Sequence, residues 1–408
     1  MAGMTDGVSP GRSRVADRKP AVMGGEPVFP APLPIVRPSL PQYAHVANDF
    51  ARILSSGSIT NGPYVGQLEE RVRDYLNMDH CIALSCCTAG IMLLLKAAHL
   101  TGEVVVASFT FTATVGALLW AGLEPVFADC RPDTFNLDPE DVERKISANT
   151  SAILATHVFG NPADVQALET IAASHGIKLF FDAAHGFGSL HNGRPVGSFG
   201  DGEVFSLSPT KLLIAAEGGI VLTRHSDLAT RVRWGRNYGN PGNYDCQLLG
   251  LSARMSELHA TLALAGLEGV NDRVARRNHL AALYREQLRQ IPGIGFQTVR
   301  PTDRSTYKDF TIVIEEEAFG LSRDLLAVAL EAENVATRKY FFPPVHEQHF
   351  VSSYPHRAEH LEVTRNLSRR VLSLPIYSSL SEQELEKICE AIARIHHHAA
   401  AIRSARAS

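Results

Sequence analysis

Short apolar runs alternate with longer stretches of mixed polarity along most of the chain, and this alternation sets the predicted elements. The runs Cys81–Leu84, Val104–Ala107, Pro125–Ala128, Ala152–Ala155, Ile177–Phe181, Glu203–Leu207 and Gly219–Thr223 are of strand length. Their largely continuous apolarity is what strands buried on both faces require. Helical patterns separate them. Tyr64–Tyr75 follows the turn Asn61-Gly62-Pro63, and a second helix runs from Thr88 to about Leu100. Asp138-Pro139 places proline at a first helical position, and a helix from about Pro162 closes on Gly176. Strands and helices alternating in this way predict a mainly parallel sheet with helices on both faces, an α/β fold.

The ends of the chain read differently. Residues 1–33 mix Gly, Pro, Ser and Arg without periodicity and are expected to form a mobile tail. Asn271–Leu288 reads as a long, arginine-rich helix bridging two lobes. Beyond it, Phe310–Glu315 is a predicted strand, Ser322–Glu333 and Arg365–Val371 are predicted helices, and a terminal helix starts at Ser381, the pattern of a small α+β domain. The expected organisation is therefore a tail at 1–33, a large α/β domain at 34–270, and a bridging helix with a small domain at 271–408.

Composition narrows the function classes. At 408 residues the chain is long enough for two lobes, and its charged and apolar fractions, 20% and 45%, are those of an ordinary globular protein. A net charge of −4 with interspersed signs favours neither nucleic acid nor an acidic membrane surface. No apolar stretch has the length to span a bilayer, and no hydrophobic segment follows the N-terminal charges as a secretory signal would demand. Cys81, Cys86, Cys87, Cys130, Cys246 and Cys389 show no C-x-x-C pair and no zinc spacing, so no metal is expected. Reduced thiols in a cytoplasmic protein are the expectation. His396-His397-His398 sits on the terminal helix and carries no assigned role. No dinucleotide or ATP fingerprint occurs in the α/β region.

The candidate chemistry lies between Phe180 and Lys211. The run Ile177–Phe181 stops on Asp182, and the run ending at Leu207 leads into Ser208-Pro209-Thr210-Lys211. Open α/β sheets place their ligand crevice at the carboxyl ends of the strands. An aspartate and a lysine at that edge suit pyridoxal 5′-phosphate (PLP): the amine forms a Schiff base with the aldehyde, and the carboxylate keeps the pyridine nitrogen protonated. On spacing alone, a solvated ion pair is the commoner explanation of the two residues.

The wording of the motifs narrows that choice. Asp182-Ala183-Ala184-His185, Ser206-Leu207-Ser208-Pro209-Thr210-Lys211 and Glu217-Gly218-Gly219 resemble the DegT/DnrJ/EryC1/StrS family of PLP-dependent sugar aminotransferases. The order of motifs follows that family from about Pro34 to the final helix. The resemblance implies a fold-type-I PLP-dependent transferase with Lys211 and Asp182 catalytic, His185 beside the ring and Ser206 on the phosphate. The turn after Cys81–Leu84 resembles the family's phosphate turn, implying contacts from Thr88 and Ala89, although Cys87 stands where glycine is usual and a simple helix cap would look the same. Phe109-Thr110-Phe111-Thr112-Ala113-Thr114 resembles the segment whose aromatic stacks on the pyridine, implying Phe111.

Gly250 to Ala260 resembles the segment that reaches the partner subunit's phosphate, with Ser252 and His259 departing from the family's asparagine and glutamine. Arg254 is retained and is implied as the cross-subunit contact. A solvent-facing arginine near a helix start is the alternative. Thr337–His346 resembles the sugar-pocket signature, and the resemblance points to Tyr340, His346 and Asn237 as substrate contacts.

The implied protein is a homodimer with shared active sites that moves an amino group from L-glutamate to a nucleotide-linked keto-deoxysugar. The expected acceptor is dTDP-4-keto-6-deoxyglucose, aminated at C4, in making an amino sugar for an antibiotic, another natural product or a glycan. An aromatic-rich loop suits a sugar whose C6 methyl has no hydroxyl to satisfy. A 3-keto sugar or a keto-cyclitol is the enzymatic alternative. A non-catalytic PLP-binding regulatory protein is the alternative of another class, and it would be expected to lose Lys211.

Overall fold

The computed structural model describes residues 18–407. Five strands come first: β1 (His80–Leu84), β2 (Glu103–Ala107), β3 (Glu124–Ala128), β4 (Thr150–Thr156) and β5 (Lys178–Asp182). A small hairpin of β6 (Leu190–His191) and β7 (Arg194–Pro195) follows, then β8 (Gly202–Ser206) and β9 (Gly219–Thr223). Seven of these strands form one sheet in the order β1-β9-β8-β5-β4-β2-β3. Pairings from β8 through β3 are parallel, as the alternation predicts. β9 runs antiparallel to both neighbours. The reason is the link: Leu207–Gly218 contains no helix to carry the chain back, and a short return can only reverse direction.

Both faces of the sheet are covered. Val105, Val126, Ile153, Phe181, Phe205 and Ile220 pack with helices Pro63–Leu76, Pro139–Lys145 and Val165–His175. The alternate residues Val104, Val106, Phe127, Leu154, Phe180 and Val221 pack with helices Cys87–Ala97, Thr112–Trp120 and Ser226–Gly235. Strand alternation thus fills two cores from one sheet and leaves its carboxyl edge open to loops.

The third core belongs to the C-terminal part. β10 (Ile294–Phe296), β11 (Phe310–Ile314) and β12 (Val371–Leu374) pair antiparallel. Residues from helices Val270–Leu288, Arg323–Ala332 and Glu382–His397 join them in one cluster. The helix expected at Arg365–Val371 is Glu362–Arg370, and Val371 instead opens β12, because Val-Leu-Ser-Leu completes a sheet beside β11.

Of the tail expected at 1–33, residues 1–17 lie outside the described residues. Residues 18–33 are docked on the small domain. Phe29 and Leu33 are buried in its cluster, and Leu33 bridges to Val335. The amides of Ala21 and Val28 donate to the two carboxylate oxygens of Glu333, each at 2.9 Å. Arg394 pairs with the same carboxylate. A segment without periodicity is held here by backbone capping and two apolar anchors.

Candidate active site

The register between parallel strands decides where the site forms. Asp182, the last residue of β5, stands opposite Thr156 on β4 and Val204 on β8. Its carboxylate therefore emerges at the open edge, where the loop after β8 brings Lys211 to the same cavity. That cavity has a volume of about 200 Å³. Cys86, Cys87, Thr88, Thr110, Phe111, Thr156, Asp182, His185, Ser206, Ser208, Lys211, Glu217 and Phe341 are among its walls.

Asp182 is buried and held on both oxygens. The Ala184 amide donates to Oδ1 at 3.0 Å, and the Thr114 hydroxyl donates to Oδ2 at 2.6 Å. Burial, with the Lys308 cation next in effect, pushes the Lys211 amine down to about 8, against opposing influences from Cys87, Asp309 and Asp182. An amine with that value is about one tenth free base at pH 7, far more than an ordinary lysine supplies, as a nucleophilic lysine needs. Burial, then Lys211 and Lys308, also hold His185 well below its usual range. The Phe159 amide donates to His185 Nδ1 at 3.2 Å, so the neutral ring carries its proton on Nε2. Ser206 Oγ donates to Ser208 Oγ at 3.3 Å, and both serines line the cavity.

At the turn after β1, Cys86 caps the helix Cys87–Ala97, its Sγ accepting from the Ala89 amide at 3.4 Å. Thr88 reaches the cavity wall, while Ala89 is buried behind it. Cys87 enters the helix without a left-handed φ, so this turn has no backbone need for glycine at that position. Burial, followed by the Asp182 charge, raises the Cys87 thiol well above its ordinary value. Glycine is required one strand away. A Cβ on Gly219 would lie 2.5 Å from the Cys86 carbonyl, so β9 presses directly on the turn.

A second cavity of about 490 Å³ shares Thr110, Phe111 and Phe341 with the first. Arg338, Lys339, Tyr340, Phe342 and Gln348 extend it. Lys308 Nζ lies 5.4 Å from the Tyr340 ring centroid and is held by Asp309 at 2.9 and 3.1 Å.

Eight expected residues thus gather around the two cavities: Thr88, Phe111, Asp182, His185, Ser206, Lys211 and Tyr340 on their walls, with Ala89 behind. His346 does not join them. Its ring is buried, Ser108 Oγ lies 2.6 Å from Nδ1, and its ring packs near Phe127. The His346 amide also donates to that hydroxyl, so Ser108 ties both the backbone and the ring of His346 and the histidine braces the loop. Arg254 and Asn237 lie outside both cavities and bond each other at 2.7 Å. Sequence reasoning assigned no site role to Thr156 and Lys308, nor to Glu217, Phe341, Thr110 and Thr114, although the last four stand inside the motifs it quoted. The two threonines stand within the segment around Phe111, but the hydroxyl contact to Asp182 spans 68 residues of chain.

The residues fit pyridoxal 5′-phosphate. One cavity joins a lysine of lowered basicity, a carboxylate with both oxygens already anchored, and a helix N-terminus against which Gly219 leaves no room for a side chain.

Comparison with known proteins agrees. The model of the DegT/DnrJ/EryC1/StrS aminotransferase family matches residues 43–393. The chain is 31% identical to dTDP-4-amino-4,6-dideoxy-D-glucose transaminase of Escherichia coli over 359 residues, 87% of this chain and 96% of that protein. It is 32% identical to the UDP-N-acetyl-3-dehydro-alpha-D-glucosamine 3-aminotransferase of Acidithiobacillus ferrooxidans, over 86% of this chain and 94% of that one. The crystal structure of DesI in the presence of its TDP-sugar product superposes with a TM-score of 0.90 at 37% identity, covering 95% of this chain and 99% of DesI.

Proposed function

We propose that this chain, which belongs to the DegT/DnrJ/EryC1/StrS aminotransferase family, moves the amino group of L-glutamate onto C4 of dTDP-4-keto-6-deoxyglucose. It is a PLP-dependent sugar aminotransferase. When bound, the cofactor supplies a protonated ring that accepts the electron pair left as a proton departs the amino donor's Cα.

The rest is the work of this chain's residues. Lys211 Nζ would hold the cofactor through its aldehyde carbon; once displaced by the donor amine it would carry a proton from the donor's Cα to the cofactor, and in the second half-reaction carry one from the cofactor to the acceptor carbon. Asp182 keeps the ring nitrogen protonated, and its two anchoring donors favour the charged carboxylate this requires. Thr88, the helix start behind it and Ser206 receive the phosphate. Phe111 and neutral His185 flank the ring. Arg254 reaches the phosphate of the partner subunit, so two chains complete two sites as a homodimer, working in the cytoplasm with its thiols reduced.

The observation that carries this reading is the convergence of Lys211 and Asp182 on one cavity that shares Phe111 and Phe341 with a second, lined by Tyr340, Phe342, Arg338 and Lys339. The aromatic side chains offer a surface for a deoxysugar, and the cations suit a diphosphate. The C4 position is supported by the name of the Escherichia coli relative, and the 3-aminotransferase of Acidithiobacillus ferrooxidans favours the competing 3-keto acceptor. Purified protein, glutamate and three acceptors separate the readings: dTDP-4-keto-6-deoxyglucose, its 3-keto isomer and a 2-deoxy keto-cyclitol. The 4-keto sugar should give the highest kcat/KM, read as 2-oxoglutarate formed and by NMR of the product. A higher value for either competitor would move the regiochemistry, and no turnover with any of them would remove the assigned acceptor class.

A further inference from the structure

Three threonines from different parts of the chain connect to Asp182 through successive hydroxyl contacts. Thr114 sits in the first turn of helix Thr112–Trp120, Thr110 in the loop before it, and Thr156 at the end of β4. Thr114 Oγ1 is 2.6 Å from Asp182 Oδ2, Thr110 Oγ1 is 3.0 Å from Thr114 Oγ1, and Thr156 Oγ1 is 3.0 Å from Thr110 Oγ1. Thr110 and Thr114 are fully buried, and Thr156 and Asp182 nearly so.

Proton counting fixes the direction of this row. An ionised carboxylate only accepts, and a threonine hydroxyl has one proton to give. Thr114 spends its proton on Asp182, so in the contact with Thr110 it accepts. Thr110 has then given its proton to Thr114, and must accept from Thr156. The order Thr156 to Thr110 to Thr114 to Asp182 is the only one compatible with a charged Asp182. The reverse order requires a protonated Asp182 giving its proton to Thr114, which would leave a pyridine nitrogen facing a neutral acid. The Ala184 amide at Oδ1 favours the charged form. Bonds in such a chain polarise one another, and burial strengthens each.

We propose that Thr156, Thr110 and Thr114 form a one-way hydroxyl chain that keeps Asp182 ionised and turned toward the ring nitrogen of the cofactor. They are positioning residues acting through Asp182, and the proposal rests on the reading that Asp182 is the ring-nitrogen partner. Thr114 matters most, because it alone touches the carboxylate. Thr156 matters least, acting through two intervening hydroxyls.

The test reconstitutes apo-protein with PLP labelled with ¹⁵N in the ring and reads the nitrogen shift by NMR. It covers wild type, Thr114→Val, Thr114→Ser, Thr110→Val, Thr156→Val and Asp182→Asn. Valine preserves shape and removes the hydroxyl, whereas serine retains it. Thr114→Val should move the shift toward unprotonated pyridine and lower kcat about ten- to a hundred-fold, the range for losing a hydrogen bond to a charged group. KM for the amino donor should change by less than about threefold, since the loss falls on the reacting state. Thr114→Ser should return both readings toward wild type, and the valine effects should decline from position 114 to 110 to 156. If Asp182→Asn moves the shift while Thr114→Val does not, the hydroxyl chain is wrong and the reading of Asp182 stands. If Asp182→Asn leaves the shift unmoved, both fail. Equal losses in the serine and valine variants would assign Thr114 to packing and overturn the proposal. Should Thr114→Val not fold, a Thr110→Val shift equal to wild type decides against it in the same way.

Discussion

Arg254 donates from Nη1 to Asn237 Oδ1 over 2.7 Å, with its guanidinium 5.4 Å from the centroid of the Tyr238 ring. Both residues stand outside the cavity of their own chain, among exposed apolar side chains. Tyr238, Tyr244 and Leu249 are 52%, 90% and 77% exposed. Exposed large apolar side chains of this kind suit contact with another protein surface, and the proposed cross-subunit role of Arg254 requires a second copy to sit there.

Mixed subunits test that arrangement. Lys211→Ala and Arg254→Ala proteins should each be nearly inactive alone. After subunit exchange, about half the dimers are mixed and each contains one intact site, so activity should approach about a quarter of wild type. Activity no greater than the sum of the parents would confine Arg254 to its own chain.

Lys211 should govern cofactor capture in a pH-dependent way. Its amine is pushed down to about 8, so the charged, non-nucleophilic form prevails below that value and the free amine above it. The rate of PLP capture by apo-protein should rise about tenfold per pH unit at lower pH and level off above about 8. A rate that keeps rising to the ordinary range of a lysine would show that the amine is not perturbed. Borohydride applied after capture should fix the cofactor on the peptide containing Lys211, and a label on Lys178 or Lys96 would reassign it.

Asp182→Asn should fold normally and lose turnover. The change is nearly isosteric but removes the charge that holds the ring-nitrogen proton. A deficit of several kcal/mol in the barrier corresponds to roughly a thousand-fold or more in kcat. Circular dichroism and thermal melting should match wild type; kcat within threefold of wild type would contradict the role.

Glu333 should control the docking of residues 18–33. Its carboxylate is fully buried, accepts the amides of Ala21 and Val28, and pairs with Arg394. Glu333→Ala strands the Arg394 cation and two backbone donors, at about 3 kcal/mol or more. Limited proteolysis should then cleave between residues 18 and 33 well before wild type, with a lower thermal midpoint. An unchanged cleavage pattern would mean that Phe29 and Leu33 hold the segment unaided.

What the sequence determined alone was whatever depends on local pattern. The strands of the large sheet are short apolar runs set by burial on both faces, so their existence and their mainly parallel character follow from composition and spacing. Asp182, His185, Ser206 and Lys211 were legible because they stand at or just beyond strand ends and in a distinctive wording. The tertiary structure decided what depends on who meets whom. The Thr114 contact to Asp182 joins residues 68 positions apart and leaves no periodic trace. Residues 18–33 look unstructured because no internal pattern holds them; a buried carboxylate supplied by Glu333 does. His346 has the same identity whether it faces a sugar or a serine, and only the packing of its loop turned it onto Ser108. β9 reversed direction because its link to β8 has no helix, a consequence of chain length rather than of any residue within the strand. Pattern along a chain reports burial, a property each residue has by itself; orientation and hydrogen-bond direction are properties of pairs and exist only once the fold has brought the pairs together.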